Sequence, residues 1–202
     1  MSDYLFWIGA GFVTISIVVI GLLLRASQKK TQAKRNKAQS TAAKNAKKRS
    51  ELAKSIKKVT WQPAYCIDKG IIDNDHQYLF KLINTFNAKV PIYQNPAQMV
   101  PLLTQLTKYM DLHFKREINL QKAAGFPDIN EHKLQHDELI KKYNSLISKA
   151  KKANSNNVVD VASEIGMFLQ DWLLSHVLEH DIALRPYVER MREHAKTMSS
   201  LG

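Results

Sequence analysis

Cysteine is nearly absent. Cys66 is the only one in the 202-residue chain, so no intramolecular disulfide can form. This fits a reducing cytoplasm, and a single cysteine without an evident base reads as a small buried apolar residue, not as a nucleophile. The chain also lacks the H-E-x-x-H string of helical zinc sites and the E-x-x-H string of carboxylate-rich di-metal enzymes. From Trp61 onward there is no strand-like alternation of apolar and polar residues. Between Arg25 and Thr60 there is neither glycine nor proline, and from Tyr4 to Leu24 there is no charge.

The uncharged run Tyr4–Leu24 would make a helix about 31 Å long, close to the ~30 Å hydrocarbon core of a bilayer. Only Asp3 precedes it among charged residues, which argues against a secretory signal with its basic n-region. The net charge of +12 is concentrated just beyond this run, because residues 25–60 carry 13 Lys/Arg against the single acid Glu51. Basic residues beside a span are retained on the cytoplasmic side. The sequence therefore predicts a single-pass protein of an inner (cytoplasmic) membrane, with its N-terminus outside and its C-terminal domain cytoplasmic. Residues 1–24 would be the span, 25–60 a basic linker or helical stalk near anionic lipid, and 61–202 the functional domain. No interleaved aromatics or reading motif accompany the basic segment, so nucleic acid is not expected as a partner.

Apolar residues after Trp61 recur at helical spacing. Helices are expected over about Asn74–Lys89, from Asn95 to about Ala124, from Asp128 as N-cap to about Lys152, and over about Val158–Glu179, with a short terminal helix over Tyr187–Ala195. Pro91, Gly125-Phe126-Pro127 and Pro186 punctuate them. Four helices with short connections predict an all-α, antiparallel four-helix bundle.

Metal-ligating side chains punctuate that bundle in order: His76, His113 with Glu117, His132 with His136, and His176 with Asp181. Positions i and i+4 lie one above the other on a helix, so His113/Glu117 and His132/His136 each aim two donors at one point. Five imidazoles and two carboxylates are enough for two metal ions and more than one tetrahedral zinc uses. Spacing alone would pair His176 with His180, so His180 and Asp181 stay in competition on periodicity. His194 is expected to face solvent.

The strings WQPAYCIDKGIIDNDHQYLFKLIN, YMDLHFKRE, FPDINEHKLQH and DWLLSHVLEHDIALRPYV resemble the hemerythrins, specifically their bacterial single-domain form, over about Trp61 to Val188. The resemblance implies a four-helix bundle with a non-haem di-iron centre that binds dioxygen reversibly. It implies that His132, His136 and His176 complete one iron and that His76 and His113 bind the other. Glu117 and Asp181 would bridge the pair together with an oxygen atom from solvent, and His180 would stand at the surface or behind the ligands. The iron with only two imidazoles would keep a position open for dioxygen. Leu79, Phe114, Trp172, Leu173 and Val177 match the positions that line the family's dioxygen pocket, although a bundle core needs such residues in any case. Departures from the family's frequent residues stand at Asp75, Ile118 and Gln121, and Asp68 replaces a frequent glycine in the entry loop.

The leading expectation is a membrane-tethered dioxygen carrier, not an enzyme, that stores dioxygen or delivers it to a membrane oxidase or oxygenase. A dioxygen or redox sensor acting through a separate partner is the second reading. A di-iron oxidase, peroxidase or nitric oxide reductase is the third, and the histidine-rich donor set argues against it.

Overall fold

The structure is a computed structural model that describes the backbone of residues 2–200 and the side chains of residues 22–51 and 56–200. It divides into two compact units, Met1–Lys48 and Arg49–Gly202. Within the first unit the described backbone, from Ser2 onward, is helix α1 (Ser2–Ser55). With no glycine or proline after Arg25, nothing breaks the amide ladder, and Thr31 and Thr41 return hydroxyl bonds to the carbonyls of Ser27 and Lys37 four residues back. All side chains from 22 to 48 are exposed.

Among the described residues, no helix is long and apolar enough to cross a membrane. This overturns the expectation of a single-pass inner-membrane protein with a cytoplasmic C-terminal domain. The run that prompted it, Tyr4 to Leu24, falls outside the described side chains except for Leu22, Leu23 and Leu24. Beyond those three leucines the described part of α1 carries basic residues from Arg25 onward, and charge at that density is costly in hydrocarbon.

The second unit is a bundle of α2 (Ile71–Lys89), α3 (Val100–Ala124), α4 (Ile129–Lys151) and α5 (Val158–Ser175), followed by a π-helical turn at His176–His180, a 3₁₀ turn at Asp181–Leu184 and α6 (Arg185–Ser200). Each bundle helix packs on the next, α5 closes back on α2, and α6 lies against α3. The described residues form no strand. Leu79, Ile83 and Phe86 of α2, Leu106 and Met110 of α3, Leu139 and Tyr143 of α4, and Ile165 and Leu169 of α5 make the main core. Ile56 and Val59, ahead of the bundle, also pack there, and Val59 is tied to the Asn84 side chain through its N–H (3.0 Å) and carbonyl (2.7 Å). A second cluster of Ile67, Ile72, Phe126, Leu184 and Val188 closes the end of the bundle near the π turn.

Helix ends follow local chemistry and differ in places from expectation. Gly125 ends α3 in the left-handed region (φ 67°), and the Phe126 N–H reaches the Gln121 carbonyl at 2.9 Å, closing the last turn. Two prolines delay α3, which begins at Val100 after a 3₁₀ turn at Pro96–Gln98. Asp128 precedes α4 as expected, but its side chain makes no capping bond. Where α2 and α5 come together, Gly166 leaves room for Asn87, since a Cβ there would lie 2.1 Å from Asn87 Oδ1.

The entry into α2 is built on two carboxylates. Asp68 accepts from the N–H groups of Gly70 (2.9 Å), Ile72 (3.2 Å) and Asp73 (3.1 Å), so the residue that replaces a glycine caps the helix. Asp73 in turn accepts from Ile67 N–H (2.7 Å), Lys69 N–H (2.6 Å) and the Cys66 thiol (2.9 Å). The bond to Asp73, with burial, pushes the Cys66 thiol up, which makes it a donor and not a nucleophile. Arg185 Nε donates to the Cys66 carbonyl (2.6 Å) and Arg192 to that of Asp68, fastening α6 to this loop. Replacing Asp68 with Ala should cost about 1–2 kcal/mol of stability, because three backbone donors lose their acceptor. Denaturant midpoints of the two proteins measure it, and an unchanged midpoint would show that water caps α2 equally well.

Candidate metal centre

Five elements deliver seven donors to one buried place. His76 comes from α2, His113 and Glu117 from α3, His132 and His136 from α4, and His176 and Asp181 from the turns that follow α5. Glu117 and Asp181 are 0% exposed, and all five imidazoles are buried. Two groups can be drawn whose ligand atoms lie within 4.8 Å of one another: Glu117, His132, His136, His176 and Asp181, and His76, His113 and Asp181.

Asp181 belongs to both groups. Its Oδ1 lies 3.0 Å from His176 Nε2 and 3.3 Å from His132 Nε2, while its Oδ2 lies 3.1 Å from His76 Nε2. Glu117 presents one oxygen to both sides: Oε2 is 3.2 Å from the Nε2 atoms of His132 and His136, and 4.0 Å from His113 Nε2. His180 is absent from either group.

The physical reason is the π turn. In an ordinary α-helix His180 would stand over His176, but at His176–His180 the ladder opens by one residue and the Asp181 N–H reaches the carbonyls of His176 and Val177. That extra residue per turn brings position i+5 round to the inside. Asp181 therefore faces the cluster, and His180 is left half-buried with its ring 5.5 Å from that of His176. His180 also lines an outer cleft of about 290 Å³ with Asp128, Glu131 and His132. His194 is exposed.

The donor set fits cations and does not satisfy itself. His136 Nε2 lies 3.1 Å from His132 Nε2 and 2.8 Å from His176 Nε2, three ring nitrogens converging with carboxylate oxygens. Both oxygens of Glu117 and of Asp181 are buried without a formal hydrogen-bond partner. Ionised carboxylates without compensation cost several kcal/mol each to bury, so a cation among them removes a large penalty. Burial and the Asp181 charge push the Glu117 carboxyl up, yet His132 and His136 outweigh them and hold it below its ordinary value. Burial likewise opposes charge on Asp181, and His176 and His76 hold it well below the usual carboxylate range. Burial also drives His136 down, whereas for His76 and His132 the neighbouring carboxylates overcome burial and raise the imidazoles.

Residues 70–196 match the family described as the Hemerythrin HHE cation binding domain. The chain belongs to that family. It is 26% identical to a bacteriohemerythrin of Clostridium acetobutylicum over 132 residues, covering 64% of this chain and 98% of that protein. A bacteriohemerythrin of Methylococcus capsulatus is 25% identical over 124 residues, 61% of this chain and 91% of its own length. Among solved structures, a wild-type hemerythrin crystal structure aligns with a TM-score of 0.55 at 24% identity, over 64% of this chain and 97% of its own, which speaks for the fold. The buried His/Glu/Asp cluster of this hemerythrin domain fits a di-iron centre.

Of the apolar residues nominated for a dioxygen pocket, the two aromatic ones stand against imidazoles of this cluster. Leu79, Leu173 and Val177 are fully buried in the main core with Phe114. The Phe114 ring stacks on His136 at 3.8 Å and stands 5.5 Å from His113, bridging the two groups. Trp172 stacks on His176 at 5.5 Å and meets Phe114 edge-on at 6.1 Å. Sequence reasoning missed Trp61, whose ring stands 6.1 Å from that of His76. It arrives from the irregular entry segment, where no periodicity points at the centre.

A metal ion must displace the protons that Asp181 and Glu117 help His76 and His132 to hold. Affinity for a divalent ion should therefore fall as pH drops, beginning above the ordinary histidine pKa of about 6.5, because those two imidazoles protonate early. Metal release followed from pH 8 to pH 5 checks this, and retention unchanged to pH 5 would contradict it.

Proposed function

We propose that this chain holds two iron ions in the seven-donor cluster and binds dioxygen reversibly, for storage or for delivery to oxygen-using enzymes. The carrying observation is the unequal division of buried imidazoles, three around one part of the cluster and two around the other, with Asp181 reaching both. In this reading His132, His136 and His176 hold one ion and His76 and His113 the other, while Glu117 and Asp181 serve both. The ions, when bound, supply electrons to dioxygen and take them back when it leaves.

The protein's contribution is donor placement and a dry wall. The side with two imidazoles has fewer protein donors and so retains room for a small ligand. Phe114, stacked on His136 and beside His113, sets against the cluster a group that neither ionises nor carries water inward, and the buried Leu79, Leu173 and Val177 share its core. Trp172 shields His176. Carriage is favoured over oxidase chemistry because the donors are mainly imidazoles and the E-x-x-H pairs of carboxylate-rich di-metal enzymes are absent from the sequence.

Iron-loaded protein kept anaerobic, exposed to dioxygen and then purged, should gain a visible charge-transfer band and lose it again. A band that persists after purging, with release of peroxide, would identify an oxidase. His113→Ala should abolish the reversible band while leaving the helical content intact by circular dichroism. A normal reversible band in that variant would refute the assignment.

A further inference from the structure

We propose that Asp75 is the positioning residue for His113: its carboxylate takes up the imidazole Nδ1–H and thereby presents Nε2 to the metal on the side with two imidazoles. The inference rests on the di-iron reading and concerns a residue outside the seven donors. Asp75 is 2% exposed, directly before His76 on α2. Its Oδ1 is held by the Tyr109 hydroxyl at 2.8 Å and by Arg116 Nη1 at 2.7 Å. Its Oδ2 has no hydrogen-bond partner and lies 3.7 Å from His113 Nδ1, which has none either. Two buried polar atoms of complementary chemistry thus face each other, a few tenths of an ångström beyond hydrogen-bond contact.

The arrangement is one-sided by construction. Tyr109, His113 and Arg116 stand at i, i+4 and i+7 along one stripe of α3, so the two residues that hold Oδ1 flank the imidazole that Oδ2 addresses. Among the described residues, no other imidazole of the cluster turns its Nδ1 towards a carboxylate; their carboxylate contacts are made through Nε2. His76 Nδ1 and His136 Nδ1 are buried without partners. The Tyr109 hydroxyl and the Arg116 guanidinium, both bonded to Oδ1, compensate the buried carboxylate of Asp75. Burial and Asp75 push the Tyr109 hydroxyl up to about 12, so it remains a donor. A carboxylate behind a metal-binding imidazole fixes the tautomer and strengthens the ligand, and losing it costs roughly 10–100-fold in metal affinity. Here that support falls on the side with fewer protein donors. Arg116, 33% exposed on its side chain, extends the chain of contacts to the surface.

The full-length protein titrated with cobalt(II), anaerobically and at neutral pH, should bind two equivalents. Asp75→Asn should weaken one of them roughly 10–100-fold and leave the other unchanged. In zinc-loaded protein, the His113 Nδ1–H proton resonance should lie downfield and exchange slowly in the wild type, and move upfield and exchange faster in Asp75→Asn. Should Asp75→Asn fold poorly, Arg116→Met keeps the carboxylate while freeing Oδ1, and should give a smaller loss at the same equivalent. Two equivalents bound as tightly by the variants as by the wild type, or a proton resonance that does not move, would overturn the role of Asp75 alone. Equal weakening of both equivalents would overturn it in favour of a packing role. Fewer than two equivalents in the wild type would overturn the two-metal reading together with it.

Discussion

Two carboxylates with no exposure to water fix what the rest of the bundle must do. Glu117 and Asp181 cannot stay ionised inside an apolar core unless positive charge or strong donors surround them. The chain answers by surrounding them with five imidazoles drawn from four elements. Because Asp181 divides its oxygens between His176 and His132 on one side and His76 on the other, displacing it would separate the two groups. Its reach depends on one local irregularity, the π turn at His176–His180, which spends a residue to rotate position 181 inward. That turn lies between the end of α5 and the cluster of Ile67, Ile72, Phe126, Leu184 and Val188, so packing on its far side holds the irregularity in place.

The same irregularity marks where the sequence could be read and where it could not. His113/Glu117 and His132/His136 follow from the regular helical period, and α3 and α4 deliver both pairs inward as that period requires. For His176 the period points to His180, and no rule of spacing selects Asp181. Only the resemblance to hemerythrins favoured the aspartate, because a π turn leaves little signature in local composition. The four bundle helices were legible from apolar periodicity and from Pro91, Gly125 and Pro127. The start of α2 was not: its cap is the Asp68 side chain, acting across Lys69 and Gly70 instead of from the residue next to the helix.

The N-terminal reading failed for a different reason. An apolar run followed by basic residues is judged by composition, whereas the described helices contain no segment able to cross a membrane. From Leu22 to Lys48 every side chain of α1 is exposed. The charge of residues 25–48 is thus compatible with a long solvated helix and carries no information about a membrane on its own.

Charge placement around the bundle's centre shows why a buried acid outside the donor set is worth a physical explanation. Asp75 appears in the sequence only as a departure from the frequent residue of the hemerythrins it resembles, and its burial would be an unexplained cost if it faced only core residues. The structure gives it Arg116 and Tyr109 on one oxygen and His113 opposite the other. Arg116 and Tyr109 alone would neutralise the charge equally well at the surface. What holds Asp75 inside is its place beside His76 on α2, and what makes the position useful is that α3 puts a ring nitrogen in front of it. The asymmetry of the centre therefore extends beyond the count of imidazoles, since among the described residues the one cluster imidazole whose Nδ1 faces a carboxylate stands on the side with two of them.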